Sequence, residues 1–197
     1  LYRVTELPWE DEDAYMDILA LGTVCDIIPL TDENRIFVKR GLRRLTNSTN
    51  LGINALKKAL GLDGKPIEVH HLSFRIGPSL NSTGRLESAK EGVELLLTDD
   101  PARAESLAQD MAKLNELRKE MTDRGVRAAT DWVRKDIRMI PTEDGVKEKK
   151  IGDDKVIVLY MPGIHESIAG LIASKLKEAF YRPMLVFTDA ENGRGQI

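Results

Sequence analysis

The sequence predicts an α/β chain: a helical first part, one long helix, and then a strand–helix–strand unit. Three observations carry this. Residues from about 13 to 135 read mainly as helices, the clearest an apolar stripe at spacings of four, three, three and four from Leu107 to Met121. Residues 141–154 (PTEDGVKEKKIGDD) then break the pattern with charge, proline and glycine and little to bury. After them the periodicity changes, and Lys155–Tyr160 (KVIVLY) has the β-branched content of a buried strand. The boundary falls at 136–154, helical before and α/β after.

Each element has a local reason. Residues 1–11 are mixed and read as extended or frayed. Asp13 to about Val24 (DAYMDILALGTV) is a helix with an apolar face that closes near Pro29. Thr31-Asp32-Glu33 starts the next helix, with Asp32 the candidate N-cap, and it runs to about Leu45. Its basic residues Lys39, Arg40, Arg43 and Arg44 read as a solvated face. Asn50 caps a third helix, Leu51–Leu60, which ends at Gly61. Residues 68–86 hold glycines, a proline, arginines and small polar residues in a density that a plain core helix does not use. A helix follows over about 87–97. Thr98-Asp99-Asp100-Pro101 supplies an N-cap and a first-turn proline for the long helix, which runs to about Lys135. Leu107, Met111, Leu114, Leu117 and Met121 form its packing stripe, and Gly125 interrupts it as a candidate bend. Residues 166–179 are a helix and Pro183–Phe187 a second strand, so the last part is a βαβ unit, parallel and right-handed by default.

Composition narrows the function classes. The 197 residues are 42% hydrophobic, enough to bury a core, and no apolar run approaches the ~18–20 residues that cross a bilayer. No signal-peptide core follows a basic start. The single Cys25 excludes an intrachain disulfide and a cysteine-based zinc cluster, and a reducing, cytoplasmic setting is the expectation. A net charge of −3 makes any nucleic-acid contact local rather than global. Aromatics at 5% leave little material for base stacking. Because it begins at Leu1 and ends just past a strand, the chain is read as a piece of a longer protein.

Three segments carry candidate chemistry. Asp26 stands alone in LALGTVCDIIPL, where a carboxylate is costly to bury unless it is paired or holds a metal. A helix-terminal cap near Pro29 explains the same residue, and the residues alone leave both readings open. Asp17 does not share its site, since nine residues at about 100° each put it on the opposite face. In FRIGPSLNSTGRL, Arg75 and Arg85 bracket Gly77, Asn81, Ser82, Thr83 and Gly84. Glycine permits close backbone approach, and the arginine fork reads phosphate, so the segment is an anion site or an irregular turn. His165 lies between a strand and a helix at the C-terminal edge of the parallel pair, where ligands bind, and it also suits a helix cap. HESIA is not a zinc-protease motif, because residue 169 is alanine. His70-His71 are adjacent and diverge, which argues against joint metal ligation. Gly193-Arg194-Gly195 is too short a signal to read.

Taken together, LALGTVCDIIPL followed by ENR, RIGPSLNSTGRL, ELLLTDDP leading into a long helix, HESIAGLIASKL and RPMLVF resemble the RecJ-type single-stranded-DNA exonucleases of the DHH phosphoesterase superfamily. The resemblance runs from about Asp17 to Phe187, and the order and spacing of the motifs carry it. It implies the C-terminal part of a DHH lobe over 1–99, a connecting helix over 100–140 and a partial DHH-associated α/β lobe over 141–197. It implies a 5′–3′ exonuclease of DNA repair and recombination that hydrolyses phosphodiesters with two Mn²⁺ or Mg²⁺ ions. Asp26 then matches a metal-binding aspartate, which reverses the cap reading, and Arg75, Asn81, Arg85 and His165 match substrate contacts. The implied partners are single-stranded DNA and a single-strand-binding protein or helicase, with no membrane.

The departures from the family pattern matter as much. The paired aspartates and the Asp-His-His triplet lie upstream of Asp26 in the family, and His70-His71, preceded by Val69, is not that triplet. Ser79 stands where many members carry arginine. The family's Gly/Ser/Arg phosphate stretch is expected just after Gly195. One aspartate does not hold two hard cations, so residues 1–197 alone are expected to be inactive. The other classes to separate are an oligonucleotide or cyclic-dinucleotide phosphodiesterase of the same superfamily, and a non-catalytic single-strand-binding replication factor.

Overall fold

The computed structural model describes residues 15–86, 89–142 and 145–189; the side chains of residues 85–86 and 137–142 also lie outside it. The chain divides into two compact units, Leu1–Asn115 and Glu116–Ile197.

The first unit is helical: α1 (Met16–Cys25), α2 (Asp32–Thr46), α3 (Leu51–Ala59), a short α4 (Val69–His71), a π-turn (Leu72–Ile76), α5 (Gly77–Leu86) and α6 (Ala89–Leu97). It also holds the first part of α7 (Pro101–Lys135). Its core is built from Ala20, Leu45, Leu56, Leu62, Leu72, Leu95 and Met111. Two glycines let helices meet at backbone distance. A β-carbon on Gly41 would lie 2.2 Å from the Met16 carbonyl oxygen, and one on Gly52 would lie 1.8 Å from that of Leu95.

The caps follow the sequence closely. Asn50 Oδ1 accepts from the Ile53 N–H at 2.9 Å, and α3 ends with Gly61 at φ +65°. Asp100 Oδ1 accepts from the Ala102 N–H at 2.9 Å ahead of Pro101. Thr31, rather than Asp32, occupies the N-cap of α2, with Asp32 already inside the helix at φ +44°. The breaker-rich stretch is helical too. Val69–Leu86 runs through the π-turn, and its small residues serve packing: Ser79, Ser82 and Thr83 are fully buried with their hydroxyls on helix carbonyls.

The second unit holds the rest of α7, an antiparallel hairpin of β1 (Ile137–Thr142) and β2 (Gly145–Lys150), then β3 (Ile157–Tyr160), α8 (Glu166–Phe180) and β4 (Met184–Phe187). β3 and β4 pair in parallel from Ile157↔Met184 to Tyr160↔Phe187, as a βαβ unit should. Ile157 and Leu159 point into the core and Val158 and Tyr160 away from it, the two-residue alternation of a strand. Ala129, Val133, Ile151, Ile168, Ile172 and Leu176 complete this core.

The long helix serves the two cores with different stretches of its length. Leu107 and Met111 belong to the first and Ala129 and Val133 to the second, while Leu117 of the expected stripe is exposed. Gly125 is not a bend. The helix is continuous there, and a β-carbon on Gly125 would lie 2.4 Å from Ile172 Cδ1, so this glycine is where α8 packs onto α7. No described helix is long and apolar enough to cross a membrane.

Candidate functional site

Asp26 sits just past the end of α1, and the backbone closes the helix around it. Its N–H donates to the Gly22 carbonyl at 3.0 Å, the Ile27 N–H to Val24 at 3.2 Å and the Ile28 N–H to Thr23 at 3.1 Å. The last two form a Schellman closure, which needs a left-handed residue after the cap, and Ile27 supplies it at φ +56°. The closure takes up the last carbonyls of α1 and leaves the Asp26 side chain exposed, with no hydrogen bond or ion pair among the described residues.

Asp17 lies on the other side of the same helix. It is buried, accepts from the Ser48 hydroxyl at 3.2 Å and from the Ile18 N–H at 2.9 Å, and belongs to the core. The two carboxylates therefore have separate environments, as the helical angle requires.

The π-turn packs directly against this helix end. Cys25 Sγ lies 2.5 Å from where a β-carbon on Gly77 would sit and within 4.0 Å of the Leu72 carbonyl oxygen. Burial, and then the charge of Asp26, push the Cys25 thiol up, so it stays protonated and acts as packing. The GTVCD and RIGPS segments are thus one packed corner of the first unit. π-turns of this kind are frequent at functional sites.

Arg75 leaves this corner exposed and donates through one guanidinium nitrogen to the Leu60 carbonyl. Asn81 is exposed on α5. Arg85 lies one helical turn further on, with its side chain outside the described residues. Ser79 is buried with its hydroxyl on the Arg75 carbonyl at 2.8 Å. At the start of the corner, His71 Nδ1 accepts the Glu68 N–H at 3.1 Å while the Glu68 side chain accepts from the His71 N–H, a reciprocal capping box. His70 pairs with Glu68 at 3.3 Å. The two histidines share this cap. Among the described residues no group of three or more histidine, cysteine, aspartate or glutamate side chains could hold a metal ion. Asp26 is an available hard-oxygen donor but only one of the several such a cation takes.

His165 belongs to the second unit, where it is the N-cap of α8. Its Nδ1 accepts from the Ser167 N–H at 3.2 Å and lies 2.7 Å from the Ser167 hydroxyl. An Nδ1 that accepts puts the ring proton on Nε2, which is then a donor. His165 is on the rim of a cleft of about 460 Å³ at the C-terminal end of β3. Gly125, Ala128, Met161 and Ile168 are its apolar lining, and Arg124, Trp132 and Tyr160 line it together with His165.

The comparisons with known proteins agree with this architecture. The chain is 34% identical over 189 residues to the single-stranded-DNA-specific exonuclease RecJ of Bacillus subtilis, covering 95% of this chain and 22% of that protein. It is 36% identical over 183 residues to RecJ of Thermus thermophilus, covering 93% and 24%. The crystal structure of Thermus thermophilus RecJ in complex with Mg²⁺ superposes with a TM-score of 0.75 at 33% identity, over 99% of this chain and 28% of that one. Nearly the whole of this chain is similar to one stretch of RecJ.

A second RecJ structure, bound to manganese, gives a TM-score of 0.76 at 32% identity over 95% of this chain and 43% of that one. A scan of protein-family models finds no match. The chain spans between about a fifth and a third of the length of the curated RecJ proteins it matches at 34–36% identity. The α/β reading stands. Sequence reasoning missed the aromatic rim of the cleft. Its signal was present, since Met121, Arg124, Gly125, Ala128 and Trp132 fall at helical spacing on one face of α7.

Proposed function

We propose that this chain is part of a single-stranded-DNA-specific 5′–3′ exonuclease, and that the Asp26 corner of the first unit belongs to its hydrolytic site. The observation that carries the reading is the exposed Asp26 carboxylate, unpaired among the described residues and held by a strained helix closure beside a π-turn that presents Arg75. An exposed carboxylate with no internal partner contributes little to the fold, and strained backbone gathers at functional sites. The likeness to RecJ proteins, named for single-stranded-DNA-specific exonuclease activity and crystallised with Mg²⁺ or Mn²⁺, supports the same reading.

Asp26 is one oxygen donor to a divalent ion, Mn²⁺ or Mg²⁺. Such ions, when bound, acidify water and neutralise phosphoryl charge. The chain's own groups hold and orient the strand. Arg75 keeps most of its N–H donors for phosphate oxygens after its bond to Leu60. Asn81 adds an orienting hydrogen bond, Arg85 a second cation, and His165 an Nε2 donor from the second unit. The further oxygen donors come from elsewhere in the longer protein, so residues 1–197 by themselves do not turn over.

The test is Asp26→Asn in the intact protein, read as Mn²⁺-dependent release of nucleotides from a 5′-phosphorylated single-stranded 20-mer. The expected result is a loss of at least about a hundredfold, with unchanged melting because the side chain is exposed. An Asp26→Asn protein that degrades the strand at the wild-type rate overturns the assignment. Turnover by residues 1–197 alone overturns the statement that the donors are incomplete.

A further inference from the structure

The cleft of the second unit has a built chemistry that Asp26 does not explain. Its lining is largely apolar: Met161 and Ile168 are buried, and Gly125 and Ala128 line it from α7. Its rim carries two aromatic rings, each fixed in place. The Trp132 indole N–H donates to Asp136 Oδ2 at 2.9 Å, and the Tyr160 hydroxyl donates to Asp189 Oδ1 at 2.5 Å. Both rings stay partly open to solvent, Trp132 at 38% and Tyr160 at 52%. The Asp136 and Asp189 carboxylates are thereby engaged in orienting the rings. Arg124 stands beside them, exposed and without an ion pair among the described residues. The His165 Nε2 donor completes the ring of polar groups.

A flat ring to stack on, a cation for an oxyanion, one N–H donor and a largely apolar lining are the complement of one nucleotide. A volume of about 460 Å³ falls within the ~300–1,000 Å³ range of small-ligand sites. The position, at the C-terminal end of a parallel strand where a helix begins, is where open α/β units bind ligands. A sequence with few aromatics has placed two of them around one hollow.

We propose that this cleft is a nucleotide subsite in which a base stacks on Trp132 while Arg124 takes a phosphate oxygen and His165 donates to the base edge or sugar. The inference rests on the single-stranded-DNA reading above and deepens it by naming a base-stacking position, Trp132, and a phosphate partner, Arg124, in the second unit. A base in the strand and a free mononucleotide share this chemistry.

The experiment uses the intact wild-type protein and an oligothymidylate 12-mer carrying one photoreactive 5-iodouracil at successive positions. Irradiation at binding equilibrium followed by peptide mapping is expected to place an adduct on Trp132 for one or two adjacent positions. Thymidine 5′-monophosphate competes for that adduct if the cleft also takes the free nucleotide, and does not compete if it takes only a base held in the strand. Trp132→Ala is expected to weaken 12-mer binding by at least about fivefold, the lower end for one stacked base, and Trp132→Phe to stay near wild type. Arg124→Gln is expected to reduce the salt dependence of binding by about one phosphate contact. Wild-type adducts only outside the cleft, with Trp132→Ala binding the strand at wild-type affinity, overturn the subsite and leave the exonuclease reading intact. An intact protein that binds no single strand overturns both. Because the cross-link is read on wild type, the result does not depend on any variant folding.

Discussion

The Sγ of Cys25 lies 2.5 Å from the place a β-carbon on Gly77 would occupy, so the end of α1 and the π-turn meet at a contact that admits no larger residue. The Leu72 carbonyl oxygen is 2.9 Å from the same point. Gly77→Ala is therefore expected to destabilise this chain by about 1–3 kcal/mol through overpacking, despite the gain in helix propensity. Cys25→Ala removes the sulfur and should recover part of that loss, giving a coupling of about 0.5–3 kcal/mol in a double-mutant cycle by urea denaturation. Additive effects of the two changes would mean that the corner is not packed in this way.

Ile27 follows Asp26 in a left-handed conformation that a β-branched side chain adopts only at a cost of about 1–2 kcal/mol. It is 88% exposed, so its side chain regains little by burial in this chain. Ile27→Gly keeps the Schellman closure and removes the clash. The expected result is a gain of about 1 kcal/mol in the stability of residues 1–197, seen as a higher Tm. A lower Tm would show that the Ile27 side chain makes a stabilising contact that its exposure hides.

The His71 capping box gives the corner a pH dependence. Burial, then the neighbouring His70, hold the His71 imidazole below its ordinary range, against a smaller opposing pull from Glu68. The unfolded chain titrates near 6.5 and so binds more protons than the folded chain between that pH and the depressed folded value. Stability from this group is complete above about pH 6.5 and falls as acid carries the solution down through that window. His71→Gln retains a side-chain acceptor at the third helical position and removes the titration. The urea midpoint of wild type minus that of His71→Gln should fall between about pH 7.5 and 5.5, a range that brackets the unfolded histidine value; a constant difference would remove His71 as the cause.

Much of this was legible in the residues, for reasons that differ by element. Asn50, Gly61 and Pro101 marked helix ends because caps and breakers act locally. The β-branched KVIVLY run, the helix read over 166–179 and the PMLVF strand after it marked the βαβ unit, and the helix runs one residue further, to Phe180. The opposite placement of Asp17 and Asp26 followed from the helical angle alone. Residues 69–86 were harder. Glycine, proline and serine read as breakers by propensity, but Ser79, Ser82 and Thr83 put their hydroxyls on helix carbonyls, and Gly77 accepts Cys25 at contact, so tertiary packing turned a breaker-rich segment into a helix. Gly125 misled in the same way: its missing side chain makes room for Ile172, a fact about α8 that α7 alone does not contain. The cleft was hidden because Trp132 and Tyr160, 28 positions apart in the sequence, meet only through the fold.

Lys57 is the least expected residue of the first core and carries the last prediction. It is 4% exposed, and its ammonium donates to the Leu45 and Thr46 carbonyls at 2.9 Å each and to Asn54 Oδ1 at 3.2 Å. The two carbonyls belong to the last turn of α2, where the helix dipole is negative, so Lys57 closes α2 from a neighbouring helix. Burial pushes its pKa down, and the more distant charge of Asp63 only partly opposes that. Lys57→Met fills the same space but orphans the carbonyls, and a loss of about 1–3 kcal/mol at pH 7 is expected by urea denaturation. The pH dependence has a fixed sign. The folded amine binds fewer protons than the unfolded one between its depressed value and about 10.4, so the wild type gains stability relative to Lys57→Met as alkali carries the solution up through that window. An advantage of wild type over Lys57→Met that shrinks there would mean that the ammonium is better solvated in the fold than in water, and that the carbonyls of α2, rather than burial, set its titration.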